Sequence, residues 1–225
     1  MGEAHTLTPD VSFVFPARDE AASLGDTLES IRELDTAYEC EIVVVDGGSR
    51  DGTAKIGREY GASVLEQRGS GIAEARNQGA ASANGEWLAF VDADTILRPT
   101  YLTELLGFAE FEGVAGASSY CRVTGPMRAK AMEVTINHLF SRLRRPILPG
   151  FNTLVHRDAF EAVKGYPTVP NEDTAFSRRL AREYPLGYRR SVLVETSGRR
   201  VAEHGLTGTL THYARLDRER LESEY

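Results

Sequence analysis

Asp92 and Asp94 flank a single alanine at the end of a five-residue apolar run, Trp87-Leu88-Ala89-Phe90-Val91. A short apolar run stopped by carboxylates suits a buried strand whose carboxyl end opens onto a site. Two residues apart on an extended chain, both carboxylates point to the same side. Like charges held that close repel unless a cation sits between or beside them. Oxygen-only ligands favour a hard ion such as Mg²⁺ or Mn²⁺, of the kind shared with substrate phosphates. The other reading is a strand-to-turn junction with aspartate as turn former. The spacing alone leaves both open.

Other polar groups sit in equivalent places. Pro16-Ala17-Arg18-Asp19-Glu20 follows the apolar run 11–15, and Asp46 ends the run 41–45 and opens a glycine-rich turn. Glu172 and Asp173 stand at the start of a predicted helix over 171–184. The elements needed to position these groups are legible nearby. Leu24, Leu28, Ile31 and Leu34 fall at helical spacing and predict a helix over 21–34. Helices are also expected near 53–60 and over 72–83, where Asn84-Gly85 ends the second, and a short strand over 62–65. Strand and helix alternate through the DAD strand, which predicts an α/β fold with a Rossmann-like, mostly parallel central sheet flanked by helices. In such sheets ligands bind outside the carboxyl ends of the strands. Asp46, Asp92, Asp94 and the 16–20 segment all lie at those ends.

Beyond Leu97 the pattern predicts a helix over 101–108, a strand over 114–122 and a long amphipathic helix over 126–145. Then come a strand over 150–155, a helix over 157–163, the 171–184 helix, a strand over 189–196, and a charged helix from about 206 to the end. No repeat, low-complexity tract or linker interrupts the chain. One domain over 1–225 is therefore expected, with an N-terminal, nucleotide-binding half at about 1–98 and a C-terminal half at about 99–225.

The 225 residues suffice for one sizeable core. No apolar run approaches the roughly 20 residues that span a bilayer, and the acidic, polar stretch 1–10 does not read as a signal peptide. Cys40 and Cys121 are expected to be free thiols in a reducing compartment, and a cytoplasmic location is expected. The net charge of −7 argues against general nucleic-acid binding. Of 26 basic residues, 23 are arginine, the side chain best shaped for phosphate. Within this acidic protein the 126–145 segment carries Arg128, Lys130, Arg142, Arg144 and Arg145 against Glu133 alone. Peripheral contact with an anionic membrane through 126–146 is one reading; a solvated basic face is the other.

Six motifs together resemble the family 2 glycosyltransferases, inverting enzymes of the GT-A fold, over about residues 11–200. They are FPARDE at 15–20, VVVDGGSRDGT at 43–53, GIAEARNQGA at 71–80, FVDADT at 90–95, GFNTLVHRDAFEAVKGYP at 150–167 and NEDTAFSRRL at 171–180. The resemblance implies transfer of a sugar from a UDP-, GDP- or dTDP-linked donor to a saccharide or lipid-linked acceptor, aided by Mg²⁺ or Mn²⁺. It places Pro16, Ala17, Arg18, Glu20, Asp46 and Ser49 in the nucleotide pocket, and Arg76 and Asn77 near the nucleotide and diphosphate. Asp92 and Ala93 would border the ribose or the metal, and Asp94 would ligate the cation. Asp173 would be the general base, with Gly150, Phe151, Asn152 and Glu172 beside the donor sugar and acceptor. The chemistry fits these types: an inverting transfer needs one base to take the acceptor proton, and a cation to absorb charge on the departing diphosphate. For Glu172 and Asp173, helix capping after Asn171 is the competing reading.

The chain also departs from the pattern. Gly47 stands where many relatives carry a second aspartate. Ser197 stands where many supply a histidine metal ligand, and His204 lies nearby. Arg199 and Arg200 suit a diphosphate or a solvated surface equally. Two other functions compete. A nucleotidyltransferase is expected to carry a glycine-rich loop after its first strand, which the 16–20 segment lacks. A catalytically inactive nucleotide-sugar-binding protein has no need of intact DAD and ED pairs.

Overall fold

A computed structural model describes residues 8–125, 127 and 129–198. Its first half alternates as the sequence predicts: β1 (Val11–Ala17), α1 (Leu24–Arg32), β2 (Cys40–Asp46), α2 (Thr53–Glu59), β3 (Ser63–Glu66), α3 (Ile72–Ser82) and β4 (Trp87–Val91). The second half holds β5 (Thr95–Leu97), α4 (Tyr101–Glu112), β6 (Gly116–Thr124), α5 (Ala129–Val134), β7 (Asn152–His156), α6 (Arg157–Ala162), α7 (Glu172–Glu183) and β8 (Leu186–Ser197). The charged helix expected from about 206, and Arg199, Arg200 and His204, lie outside the described residues.

All eight strands form one sheet in the order β3-β2-β1-β4-β7-β6-β8-β5. The block β3-β2-β1-β4 is parallel, so its strands end at one edge. From β1 the chain steps outward to β2 and β3, then returns to place β4 on the other side of β1. That reversal opens a crevice at the strand ends. Beyond β4 the sheet is mixed: β7 runs antiparallel to β4 and β6, β8 parallel to β6, and β5 antiparallel to β8.

The core follows the strand alternation. Val11, Phe13 and Phe15 face α1 and α4 through Leu24, Leu28, Tyr101, Leu102 and Leu105. Val14, Val43, Val45 and Phe90 face α3 and the ring stack of Phe160, Tyr166 and Phe176 on the other side. Both faces of the sheet are thus buried, as a parallel sheet requires. Trp87 is core, edge-on to His156. Both cysteines are free; Cys121 is buried, and burial pushes its thiol up to about 12. Among the described residues no helix is long and apolar enough to cross a membrane.

The expected helix over 126–145 is corrected. After α5 the chain widens into a π-turn (Thr135–Leu139), tightens into a 3₁₀ turn (Phe140–Arg142) and is extended by Leu143. Two causes are local. Asn137 turns inward, where its side chain accepts from the Cys121 N–H at 2.9 Å and donates to the Cys121 carbonyl at 2.8 Å. Pro146 then disfavours a helical Arg145 before it.

Candidate active site

The DAD segment is a turn, not a continuation of the strand. Thr95 N–H bonds back to the Asp92 carbonyl at 3.1 Å, and the Ala93 carbonyl accepts from Thr27 Oγ1 at 3.0 Å. The chain leaves the extended state at Asp92, so the expectation of two carboxylates on one side of a strand is corrected. Asp92 turns toward Arg76. Asp94 lines a cavity of about 210 Å³ with Ser23, Asp26, Thr27 and Ser197.

Arg76, on the buried face of α3, is only 2% exposed. Its Nη2 donates to Asp92 at 3.1 Å and its Nη1 to Glu172 at 2.5 Å. Its guanidinium lies 5.2 Å from the centre of the Tyr166 ring. Burial works against the charge, but Asp92 foremost, with Glu172 and Asp173, holds the guanidinium protonated. Glu172 responds in the opposite sense. Burial raises its carboxyl above the usual range, Asp173 adds to this, and Arg76 opposes it. Arg76 is thus an internal tie between the DAD turn and α7, not a ligand exposed to a diphosphate.

Gly150 fits against this tie. A side chain there would overlap the Arg76 guanidinium. The Gly150 N–H donates to Asp173 Oδ2 at 3.3 Å, while Asp173 Oδ1 accepts from the Thr174 N–H at 2.6 Å. Asp173 is partly exposed, in the first turn of a 12-residue helix. Asn171 adopts φ 52° and its side chain makes no cap hydrogen bond. Phe151 is half-buried. Asn152 is fully buried, opposite Val91 in the ladder, and its amide donates to Ser119 at 3.0 Å. Asn77 is likewise committed inward: its side chain bonds both the N–H and the carbonyl of Tyr166, each at 2.8 Å.

The loops after β1 and β2 are stitched into one rim. Ser49 donates to Asp46, and the Asp19 N–H donates to Ser49 Oγ at 2.9 Å. Asp19 at φ 54° returns a bond by accepting from the Arg50 N–H at 2.8 Å. Thr53 Oγ1 and Asp51 accept from the Glu20 and Ala21 N–H groups, each at 2.9 Å. Pro16 and Ala17 close β1, and Arg18 is largely solvent-exposed. A side chain at Gly47 would meet Gln67 and Arg18 at 3.1–3.2 Å, so little room exists for a second aspartate there.

A divalent cation is expected for this fold family. Among the described residues no three acidic, imidazole or thiol side chains gather as a complete set of ligands. The donor set that does exist, Asp94 and Asp26 with the hydroxyls of Ser23 and Ser197 around one cavity, is all oxygen. Such a set would suit a hard cation. Ser197 reaches this cavity because β5 pairs with β8 in the register Thr95↔Thr196.

Asp26 and Glu172's link to Arg76 were not singled out from the sequence. Asp26 sits in the first turn of α1, where acidic residues are common, and the Arg76–Glu172 contact spans 96 positions.

A family model described as glycosyl transferase family 2 matches residues 12–163. The chain belongs to this family. Among curated relatives, the 4,4'-diaponeurosporenoate glycosyltransferase of Staphylococcus aureus is 32% identical over 116 residues, 48% of this chain and 30% of the relative. The match therefore spans under a third of the length of that relative. A mannosyltransferase from Pyrobaculum calidifontis, solved with GDP-Man and Mn²⁺, aligns with a TM-score of 0.69 and 22% identity over 95% of this chain and 65% of that one. TarS of S. aureus, solved with UDP-GlcNAc, aligns at 0.69 and 18% identity over 84% and 58%. Glucosyl-3-phosphoglycerate synthase from Mycobacterium tuberculosis, solved with Mn²⁺, UDP and glucosyl-3-phosphoglycerate, aligns at 0.64 and 20% over 92% and 80%. These likenesses place the fold of the chain in the GT-A type.

Proposed function

We propose that this chain transfers a sugar, with inversion, from a nucleotide-diphosphate sugar to a hydroxyl of a saccharide or lipid-linked acceptor. The observation that carries the reading is the Arg76 tie, which fixes the DAD turn and the Glu172-Asp173 pair against each other across the crevice. A donor site and a base site so joined suit a single displacement.

In this reading the rim of Pro16, Ala17, Arg18, Glu20, Asp46 and Ser49 takes the nucleoside, with the 1–98 half holding the donor and the 99–198 part the acceptor. Asp94, with Asp26 and Ser197 nearby, would hold Mg²⁺ or Mn²⁺, which when bound neutralises charge developing on the diphosphate. Asp173 accepts the acceptor's hydroxyl proton as that oxygen bonds to the anomeric carbon. The bond from carbon to the diphosphate oxygen breaks on the opposite face, and the nucleoside diphosphate leaves. The Gly150 and Thr174 N–H groups aim the Asp173 carboxylate. Arg76 and Asn77 position and do not touch the donor. Acceptor approach at a membrane is supported by Met127, Val134, Leu139 and Leu143, exposed apolar side chains gathered on one segment.

The test is a thermal-shift screen of UDP-, GDP- and dTDP-sugars with and without Mn²⁺. A ligand of the folded state at about 100 times its Kd stabilises by about 2.7 kcal/mol. A metal-dependent shift for one nucleotide, lost in Asp94→Asn, is expected. No shift with any nucleotide sugar would overturn the reading.

A further inference from the structure

A second cavity lies apart from the one beside Asp94. It measures about 470 Å³ and is lined by Leu143, Arg144, Arg145, Ile147, Arg178 and Arg182. Four arginines thus line one hollow in a protein whose net charge is −7. Among the described residues no carboxylate pairs with Arg144, Arg145 or Arg182. The crowding is felt next door: Arg179 is less readily charged than usual, first through burial and then through Arg182.

The fold brings the arginines together from two directions. Arg178 and Arg182 are one turn apart on α7, the helix that begins with Glu172 and Asp173. Arg144 and Arg145 come from the extended segment that follows the broken helix. That segment is held along α7 where Ser177 Oγ accepts from the Leu148 N–H at 2.9 Å. It then reaches Gly150, whose N–H meets Asp173. From Ile147, on the cavity wall, to Gly150 is three residues, a span of at most roughly 10 Å. The wall of the hollow is thus three residues along the chain from the N–H that meets the proposed base.

We infer that this arginine-lined cavity binds a phosphate group carried by the acceptor. The phosphate is a handle, and a hydroxyl elsewhere on the acceptor is the attacking oxygen. Guanidinium forks are the side chains best matched to phosphate oxygens. Leu143 and Ile147 supply an apolar wall for the carbon atoms next to the phosphate. The assignment of the phosphate to the acceptor rests on the transferase reading; the anion site itself does not.

The test compares wild type with the triple variant Arg144→Gln, Arg145→Gln and Arg182→Gln, all at exposed positions. Two probes present the same chemistry from different sources: glycerol 3-phosphate in solution, by calorimetry, and phosphatidylglycerol vesicles, by flotation. Glycerol and phosphatidylcholine vesicles are the controls. Glycerol 3-phosphate bound by wild type and weakened about tenfold or more in the variant supports the site with a soluble phosphorylated acceptor. Arginine-dependent capture by phosphatidylglycerol vesicles alone supports it with a lipid-borne phosphate. Equal binding by both proteins in both arms, or no binding in either, overturns it. Nucleotide-sugar thermal shifts on both proteins separate the two proposals. An unchanged shift in the variant reports an intact fold and donor site. Arginine-dependent phosphate binding without any nucleotide-sugar shift would sink the transferase reading and leave the phosphate site standing.

Discussion

At the scale of single residues, the site rests on one buried cation shared by two carboxylates. Removing such a charge leaves two partly buried carboxylates uncompensated, at a cost of up to about 3–5 kcal/mol. Arg76→Met is expected to lower the unfolding midpoint accordingly, checked by thermal denaturation. Arg76→Lys should recover only part of it, since an ammonium cannot bridge Asp92 and Glu172 as a fork does. Gly150→Ala should act on the same tie by displacing the guanidinium, with a measurable loss of turnover. Asp173→Asn should lower kcat about 10²- to 10⁴-fold while leaving nucleotide-sugar binding intact, because a general base acts only in the chemical step. Unchanged turnover would reject the base assignment. Asp92, Asp94 and Asp173 were legible in the sequence because each sits at a strand end or helix start. The inward roles of Arg76 and Asn77 were not: nothing local distinguishes an arginine that faces a ligand from one whose partner is 96 positions away.

At the scale of elements, β1, β2 and the turn before β4 are joined by a carboxylate. Glu41 accepts from Ser12 Oγ at 2.6 Å and from the Asn84 side chain at 3.1 Å, and Ser12 in turn accepts from the Gly85 N–H at 2.7 Å. Burial pushes the Glu41 carboxyl upward, but these hydrogen bonds prevail and hold it below the usual range. A lowered carboxylate contributes stability above its unfolded value, about 4.3, and loses it as pH falls through the folded value. Wild type should therefore lose stability on acidification below about pH 4.3, and Glu41→Gln should show a shallower acid limb in pH-dependent unfolding. The parallel half of the sheet was readable because each strand is a short apolar run with a helix after it. The 126–145 helix was misread because its interruption comes from an asparagine bonded to a neighbouring strand. Three-residue β5 is too short for any periodicity to mark.

At the scale of the whole molecule, charge and exposed apolar surface are unevenly placed. Met127 is 91% exposed and Leu139 56%, on a segment that continues into Arg142, Arg144 and Arg145. Phosphatidylglycerol vesicles are expected to float the protein at low salt, and Met127→Asp with Leu139→Asp should abolish this. Roughly 0.5 M salt should weaken capture, as screening shortens to a few ångströms. Equal recovery of both proteins would reject the membrane contact. The sequence showed the basic bias of this segment but not the hollow, which exists only because α7 is brought alongside it. The Arg76 tie also has a kinetic consequence. It joins the DAD turn to α7, so a donor that draws on Asp92 leaves more of that fork to Glu172. The two substrates should then bind in a compulsory order, donor before acceptor. In steady-state inhibition, the released nucleoside diphosphate should compete with the donor alone.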